Sequence, residues 1–223
     1  MYVTYHGSSG GSQKVSKLRG TNGEIVAQHP VVYPCYGGIS AADLEGDGEI
    51  EIFVTDTSYG GDGLQCFDED LNLIWNHDHS CESSCAVIAD VDGDGVLDVI
   101  SLRQGSNGGI CVVDGSTGTP FPGKNQNYLG LGCHVQPAVY DIDKDGHLEL
   151  VTAYGSTCKV WDLVDWSLDF EAPSTHKCSE PPDFANVVGD EDLELIIPSG
   201  WAGQTGSLSI QNRITANLGI EYL

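Results

Sequence analysis

Basic residues are scarce: 9 Lys and Arg stand against 33 Asp and Glu in 223 residues, a formal net charge of −24. A field of that sign repels phosphate backbones and anionic membrane surfaces, so nucleic acid is not an expected partner. Long apolar runs are also missing. None approaches the roughly 18 residues of a membrane span, and no span is expected. The opening Met1-Tyr2-Val3-Thr4-Tyr5-His6 does not read as a signal peptide, so a secreted form is expected to take its targeting segment from beyond this chain. No N-x-S/T sequon occurs, which removes N-glycosylation from the argument. Helical periodicity is nearly absent. There is no Ser-His-Asp order with a nucleophile elbow, no phosphate loop and no dinucleotide fingerprint, so the motifs of the commonest catalytic classes are lacking.

What is abundant is acid gathered in short loops, together with eight cysteines spread at intervals instead of paired as C-x-x-C knuckles. The first feature suggests divalent cations, and a salty environment accommodates the remainder. The second suggests disulfides formed in an oxidising compartment, with buried free thiols as the plainer alternative.

The acidic loops repeat. Asp43-Leu44-Glu45-Gly46-Asp47-Gly48-Glu49-Ile50-Glu51, a second copy from Asp90, a third from Asp141 and a fourth from Asn186 begin 47, 51 and 45 residues apart. That period suits a four-stranded propeller blade and is too long for leucine-rich or ankyrin units. Each loop is followed by a short alternating or apolar run that reads as a strand: Ile52–Val54, Val99–Leu102, Leu150–Thr152 and Leu195–Ile197. Further strands are expected at Gly109–Asp114 and Cys158–Asp162, and then at runs such as Leu71–Trp75. The expected fold is all-β: one β-propeller region over 1–223, with a partial blade at 1–32 and full blades at about 36–80, 84–128, 134–175 and 180–223.

The loop chemistry is that of calcium. Carboxylates at positions 1, 3, 5 and 9, a turn glycine at 6 and a free carbonyl at 7 can supply the six to eight hard oxygens that the ion takes. The expected ligands are Asp43, Glu45, Asp47, the Glu49 carbonyl and Glu51; Asp90, Asp92, Asp94, the Val96 carbonyl and Asp98; and Asp141, Asp143, Asp145, the His147 carbonyl and Glu149. An EF-hand would close on a Glu at position 12, where this chain has Val54, Ser101 and Thr152. Acidic turns without metal would leave four carboxylates repelling one another in each loop. In the fourth copy Val188 replaces the position-3 acid and Glu191 the turn glycine. Asn186, Asp190 and Glu194 remain, and weak binding or none is expected there.

Ala89-Asp90-Val91-Asp92-Gly93-Asp94-Gly95-Val96-Leu97-Asp98-Val99-Ile100 resembles the FG-GAP and VCBS repeat family of calcium-loop propellers, with the VCBS-like variant the better fit. The resemblance spans all four full repeats and implies calcium loops near one rim. It leaves function open, because adhesion proteins, lectins and polysaccharide lyases share the repeat. The expected role is a non-catalytic extracellular or cell-surface module for adhesion, protein binding or structural assembly. A lectin or a polysaccharide lyase is the alternative. The few basic residues form no cluster of the kind that would abstract a proton beside a uronate.

Other chemistry is weaker. His77-Asp78-His79-Ser80-Cys81 with Cys85 could hold zinc, but loop histidines beside a disulfide is the plainer reading. Trp75, Trp161, Trp166 and Trp201 could stack on sugar rings or pack between blades. Two disulfide schemes fit the spacing: Cys66 with Cys81 or Cys85, Cys111 with Cys133 and Cys158 with Cys178; or Cys35 with Cys66 and Cys133 with Cys158. Because 1–11 aligns with the segment that follows a calcium loop, the first blade is expected to lack its innermost strand. The native protein is therefore expected to extend beyond this chain, or copies to associate end to end through open blade edges by strand addition.

Overall fold

The computed structural model describes residues 1–5, 13–31, 34–56, 63–77, 85–103, 109–122, 126–127, 136–154, 156–173, 181–187, 189, 193–199 and 207–212. These residues form strands, turns and bends with no helix among them. By contacts the chain divides into two compact units, Met1–Cys133 and His134–Leu223.

In the first unit, β1 (Tyr2–Tyr5), β2 (Gln13–Leu18) and β3 (Ile25–Val31) form an antiparallel three-stranded sheet in chain order. β4 (Pro34–Ala42), β5 (Glu51–Asp56), β6 (Leu64–Phe67) and β7 (Leu73–His77) form a four-stranded meander. β8 (Val87–Ala89), β9 (Asp98–Arg103), β10 (Gly109–Val113) and β11 (Gln126–Asn127) form another. In the second unit, β12 (Ala138–Tyr140), β13 (Glu149–Tyr154), β14 (Thr157–Asp162) and β15 (Leu168–Pro173) repeat that meander. β16 (Asp183–Ala185), β17 (Glu194–Ser199) and β18 (Ser207–Asn212) follow in chain order. The architecture is that of an all-β propeller, and each acidic loop joins the first strand of a sheet to its second.

The packing explains why the second strands are buried on both faces, where a half-buried strand alternates. Ile52, Phe53, Val54 and Thr55 of β5 are all buried. Successive side chains point to opposite faces. Phe53 joins Leu64, Cys66 and Trp75 against Val99, Cys111 and Val113 of the next sheet. Ile52 and Val54 face the other way, into a core with Val15, Val31, Phe67 and Leu71. Both faces of the sheet are therefore covered. In the second unit Val151, Ala153, Cys158 and Val160 pack likewise against Phe184, Leu195 and Ile197. Polar bonds accompany the apolar cores. Tyr2 Oη donates to the Glu69 carbonyl at 2.9 Å, and Lys17 pairs with Asp70 at 3.0 Å. Ser40 donates to the Ala86 carbonyl, and Tyr140 to Asp183, each at 2.5 Å.

Some expected strand bounds shift. Leu71 and Asn72 are not strand: Leu71 has φ 65°, and Asn72 donates its backbone and its side-chain N–H to Asp68, so β7 starts at Leu73. Asp114 likewise leaves β10 to cap a turn, accepting from Ser116 Oγ and Thr117 N at 2.8 Å each. Leu218–Tyr222, whose sequence offers a fourth strand for the last blade, lies outside the described residues.

Candidate metal centre

The four acidic loops share one backbone device. The position-9 carboxylate, set at the first residue of the second strand, accepts the N–H of position 2. Glu51 does so from Leu44 at 3.1 Å, Asp98 from Val91 at 2.9 Å, Glu149 from Ile142 at 2.7 Å and Glu194 from Val187 at 2.8 Å. Leu44, Val91 and Ile142 are buried, which drives position 2 inward and turns positions 1, 3 and 5 toward solvent. In the fourth loop Val187 is 49% exposed.

Position 1 organises the turn. Asp43 accepts from Asp47 and Gly48, Asp90 from Gly93 and Gly95, and Asp141 from Gly146. Position 6 needs the left-handed region: Gly48, Gly95 and Gly146 have φ 92°, 90° and 93°. Position 4 needs it too, which the sequence reading missed. Gly46, Gly93 and Gly189 supply it as glycines, whereas Lys144 takes φ 62° at a steric cost.

Two loops gather their carboxylates. Asp90, Asp92 and Asp94 each place a carboxylate oxygen within 4.8 Å of the others, and so do Asp141, Asp143 and Glu149. Asp98 and Asp145 are not in those groups, and the described side chains of Asp43, Glu45, Asp47 and Glu51 form no such group. The position-9 carboxyls of these two loops are raised, first by burial and then by the neighbouring acids. Burial pushes the Asp98 carboxyl up to about 6, with Asp92 and Asp94 adding to the rise. Burial pushes Glu149 up to about 7, with Asp143 and Asp141 adding. Asp141 Oδ1 is buried without any hydrogen-bond partner. An unpaired carboxylate oxygen next to two further carboxylates suits a hard cation, and the donor set is one calcium accepts.

Other sites expected from sequence fare differently. Trp75, Trp161 and Trp166 are buried, and Trp75 Nε1 donates to the Gly115 carbonyl at 2.8 Å, so these rings pack between strands and offer no sugar platform. Trp201 lies outside the described residues, as do Asp78 to Ser84 of the zinc candidate and Asp190 of the fourth loop. Cys66 is a buried free thiol, which corrects its pairing in both disulfide schemes. Leu64 and Cys66 point into the same apolar core, where the thiol packs as a small hydrophobe. Cys81, Cys133, Cys178 and the side chain of Cys35 lie outside the described residues.

A second capping residue also went unread: Asp68, Asp114 and Asp162 end the third strands and accept backbone N–H groups of the following turn. Their recurrence once per repeat is the signal that could have found them.

The family description FG-GAP-like repeat matches residues 90–152. No curated protein matches the chain. Among solved structures, the V. cholerae biofilm matrix protein Bap1 is similar over 93% of this chain and 33% of its own, at 17% identity and a TM-score of 0.61. The exotype rhamnogalacturonan lyase YesX is similar over 89% of this chain and 41% of its own, at 16% identity and a TM-score of 0.54. The Dos1 propeller is similar over 94% and 56%, at 12% identity and a TM-score of 0.53. The chain thus spans about a third of the length of Bap1, and at these identities the likeness shows the fold alone. The stretch similar to the FG-GAP-like repeat, residues 90–152, holds both loops whose carboxylates gather.

Proposed function

We propose that this chain is a calcium-binding β-propeller module, extracellular or at a cell surface, used for binding or assembly and not for catalysis. The observation that carries the reading is the pair of carboxylate groups, Asp90/Asp92/Asp94 and Asp141/Asp143/Glu149, the second containing the unpartnered Asp141 oxygen. The Val96 and His147 carbonyls, at position 7, would join them. Asp43, Glu45, Asp47 and Glu51 with the Glu49 carbonyl share the spacing, and we assign that loop a weaker site because its acids do not converge. When bound, the ion supplies charge neutralisation and cross-links each loop. The chain's own residues hold the loop shape through the position-9 and position-1 hydrogen bonds.

The extracellular setting is supported by the FG-GAP-like repeat and by the similarity to a protein of the biofilm matrix. Partners are proposed to be another protein or further copies of the propeller, with a glycan as the alternative suggested by the fold's use in a lyase. The test is calcium titration of the metal-stripped chain by calorimetry. Asp92→Asn and Asp143→Asn should each remove one strong site, while full stoichiometry in both variants would refute the assignment.

A further inference from the structure

An edge strand presents backbone N–H and C=O groups that no neighbour takes, and proteins guard such edges with proline, with charge or by keeping them short. Four of the five sheets end on β3, β7, β11 or β15, each paired on one side only among the described residues. Three of these are guarded. β3 contains Pro30, β15 contains Asp169, Glu171 and Pro173, and β11 is two residues long. β7, with the sequence Leu73-Ile74-Trp75-Asn76-His77, has no proline, no carboxylate and no Lys or Arg. The three longer edges bulge at the same place, where Val26, Ile74 and Asp169 are the extra residues. Where β15 puts a carboxylate, β7 puts an isoleucine that is 48% exposed, beside Leu73 at 44%.

β7 is also held in place before any partner arrives. Asp68 accepts the N–H of Asp70 at 2.9 Å and that of Asn72 at 2.8 Å, which fixes where the strand begins. Trp75 anchors its middle: the ring lies 6.1 Å from that of Phe53, and Nε1 donates to the Gly115 carbonyl at 2.8 Å. Leu73, Ile74 and Asn76 are therefore exposed on a backbone that has little freedom left to lose on binding.

Charge decides what kind of chain fits. Glu69, just before this edge, is exposed and enters no ion pair among the described residues, whereas Lys17 already takes Asp70 at 3.0 Å. A second copy would bring −24 against −24, and that repulsion disfavours it. A basic chain is drawn in instead. Laid along β7, it sets alternate side chains on one face, so apolar residues meet Leu73 or Ile74 while basic ones meet the acidic field. We infer that the free edge of β7 takes an extended segment of a basic partner polypeptide, apolar residues alternating with Lys or Arg, by strand addition. This rests on the reading of the chain as a binding module and names its edge and its partner.

The probe is a blocked hexapeptide of alternating Lys and Val. It is titrated by calorimetry into the calcium-saturated chain at constant ionic strength, and amide hydrogen exchange is read on the complex. Binding should slow exchange within Leu73–His77 and leave β3 and β15 unchanged. A peptide with its middle valine replaced by proline keeps the charge, cannot complete the ladder, and should not bind. Ile74→Lys should weaken affinity about tenfold through like charge at the edge. Val26→Lys adds the same charge at the matching bulge, where Val26 is also 48% exposed, and should stay within about twofold. Four outcomes overturn the inference: no binding, equal binding of the proline peptide, protection outside β7, or equal weakening by the two variants. Concentration-dependent dimers with β7 protected, in place of peptide binding, would overturn the basic partner and make a second copy the occupant. Calcium stoichiometry is measured on the same samples. Peptide failure with calcium intact strikes this edge alone, and calcium failure with peptide bound strikes the metal assignment alone.

Discussion

Asp98 Oδ2 accepts the backbone N–H of Val91 at 2.9 Å, fastening the second acidic loop to the first residue of β9. Glu194 makes the same bond to Val187 at 2.8 Å in the loop that lacks the position-3 acid. The position-9 acid therefore has a structural task that does not depend on metal. Asp98→Ala should leave the Val91 N–H unpaired and cost about 1–3 kcal/mol even in chelator. Asp98→Asn keeps an acceptor oxygen and should cost less in chelator, while still losing calcium affinity. Urea unfolding of both variants with and without chelator separates the two roles.

The raised carboxyls give a pH dependence of definite sign. Burial lifts Asp98 to about 6 and Glu149 to about 7, above the roughly 4 of an unfolded carboxyl. Between those values the folded state holds more protons than the unfolded one, so stability of the metal-free chain falls as pH rises. Calcium competes with the same protons, and its affinity rises over the same range. The gap in Tm between calcium-loaded and metal-free chain should thus widen from about pH 5 to about pH 8, and Glu149→Gln should flatten the metal-free slope. Thermal unfolding across that range checks it.

Gly115 and Gly118 hold the turn after β10 against its neighbours. A Cβ at Gly115 would lie 2.0 Å from the Leu97 carbonyl oxygen, and one at Gly118, whose φ is +68°, would lie 2.6 Å from the Trp75 ring. Either change to Ala should destabilise by about 1–3 kcal/mol or more, Gly115 the more severely because backbone blocks it. Chemical denaturation reads the difference.

Cys66 is expected to remain unmodified in the native chain. Burial pushes its thiol up to about 12, so little thiolate forms, and the sulfur sits within an apolar core. Mass-shift labelling should leave it untouched in buffer and modify it in denaturant. Recovery of a Cys66 disulfide from unreduced peptides would contradict the structure.

How much was legible in the sequence depended on whether the signal was periodic. The acidic loops, the strands at Ile52, Val99, Leu150 and Leu195, and the all-β class follow from a repeat in which turn glycines and strand residues recur in register. The buried state of Trp75 and Trp161 was open, because an indole suits a blade interface and a sugar face equally until neighbours such as Gly115 are placed. That the described acids of the first loop form no such group while Asp90, Asp92 and Asp94 converge was illegible. The sequences are nearly alike, and the difference lies in where each carboxylate points. Lys144 at φ 62° was likewise invisible, since only the fold forces a non-glycine residue into that region.

Calcium, as proposed here, is part of this fold. A ligand at 100 times its dissociation constant adds about 2.7 kcal/mol per site, a large share of the roughly 5–15 kcal/mol that holds a domain folded. Thermal unfolding of the chain in millimolar calcium and in excess chelator measures it most directly. The account predicts a clearly higher Tm with calcium, a gap that shrinks in Asp92→Asn and in Asp143→Asn; an identical Tm in both buffers would contradict it.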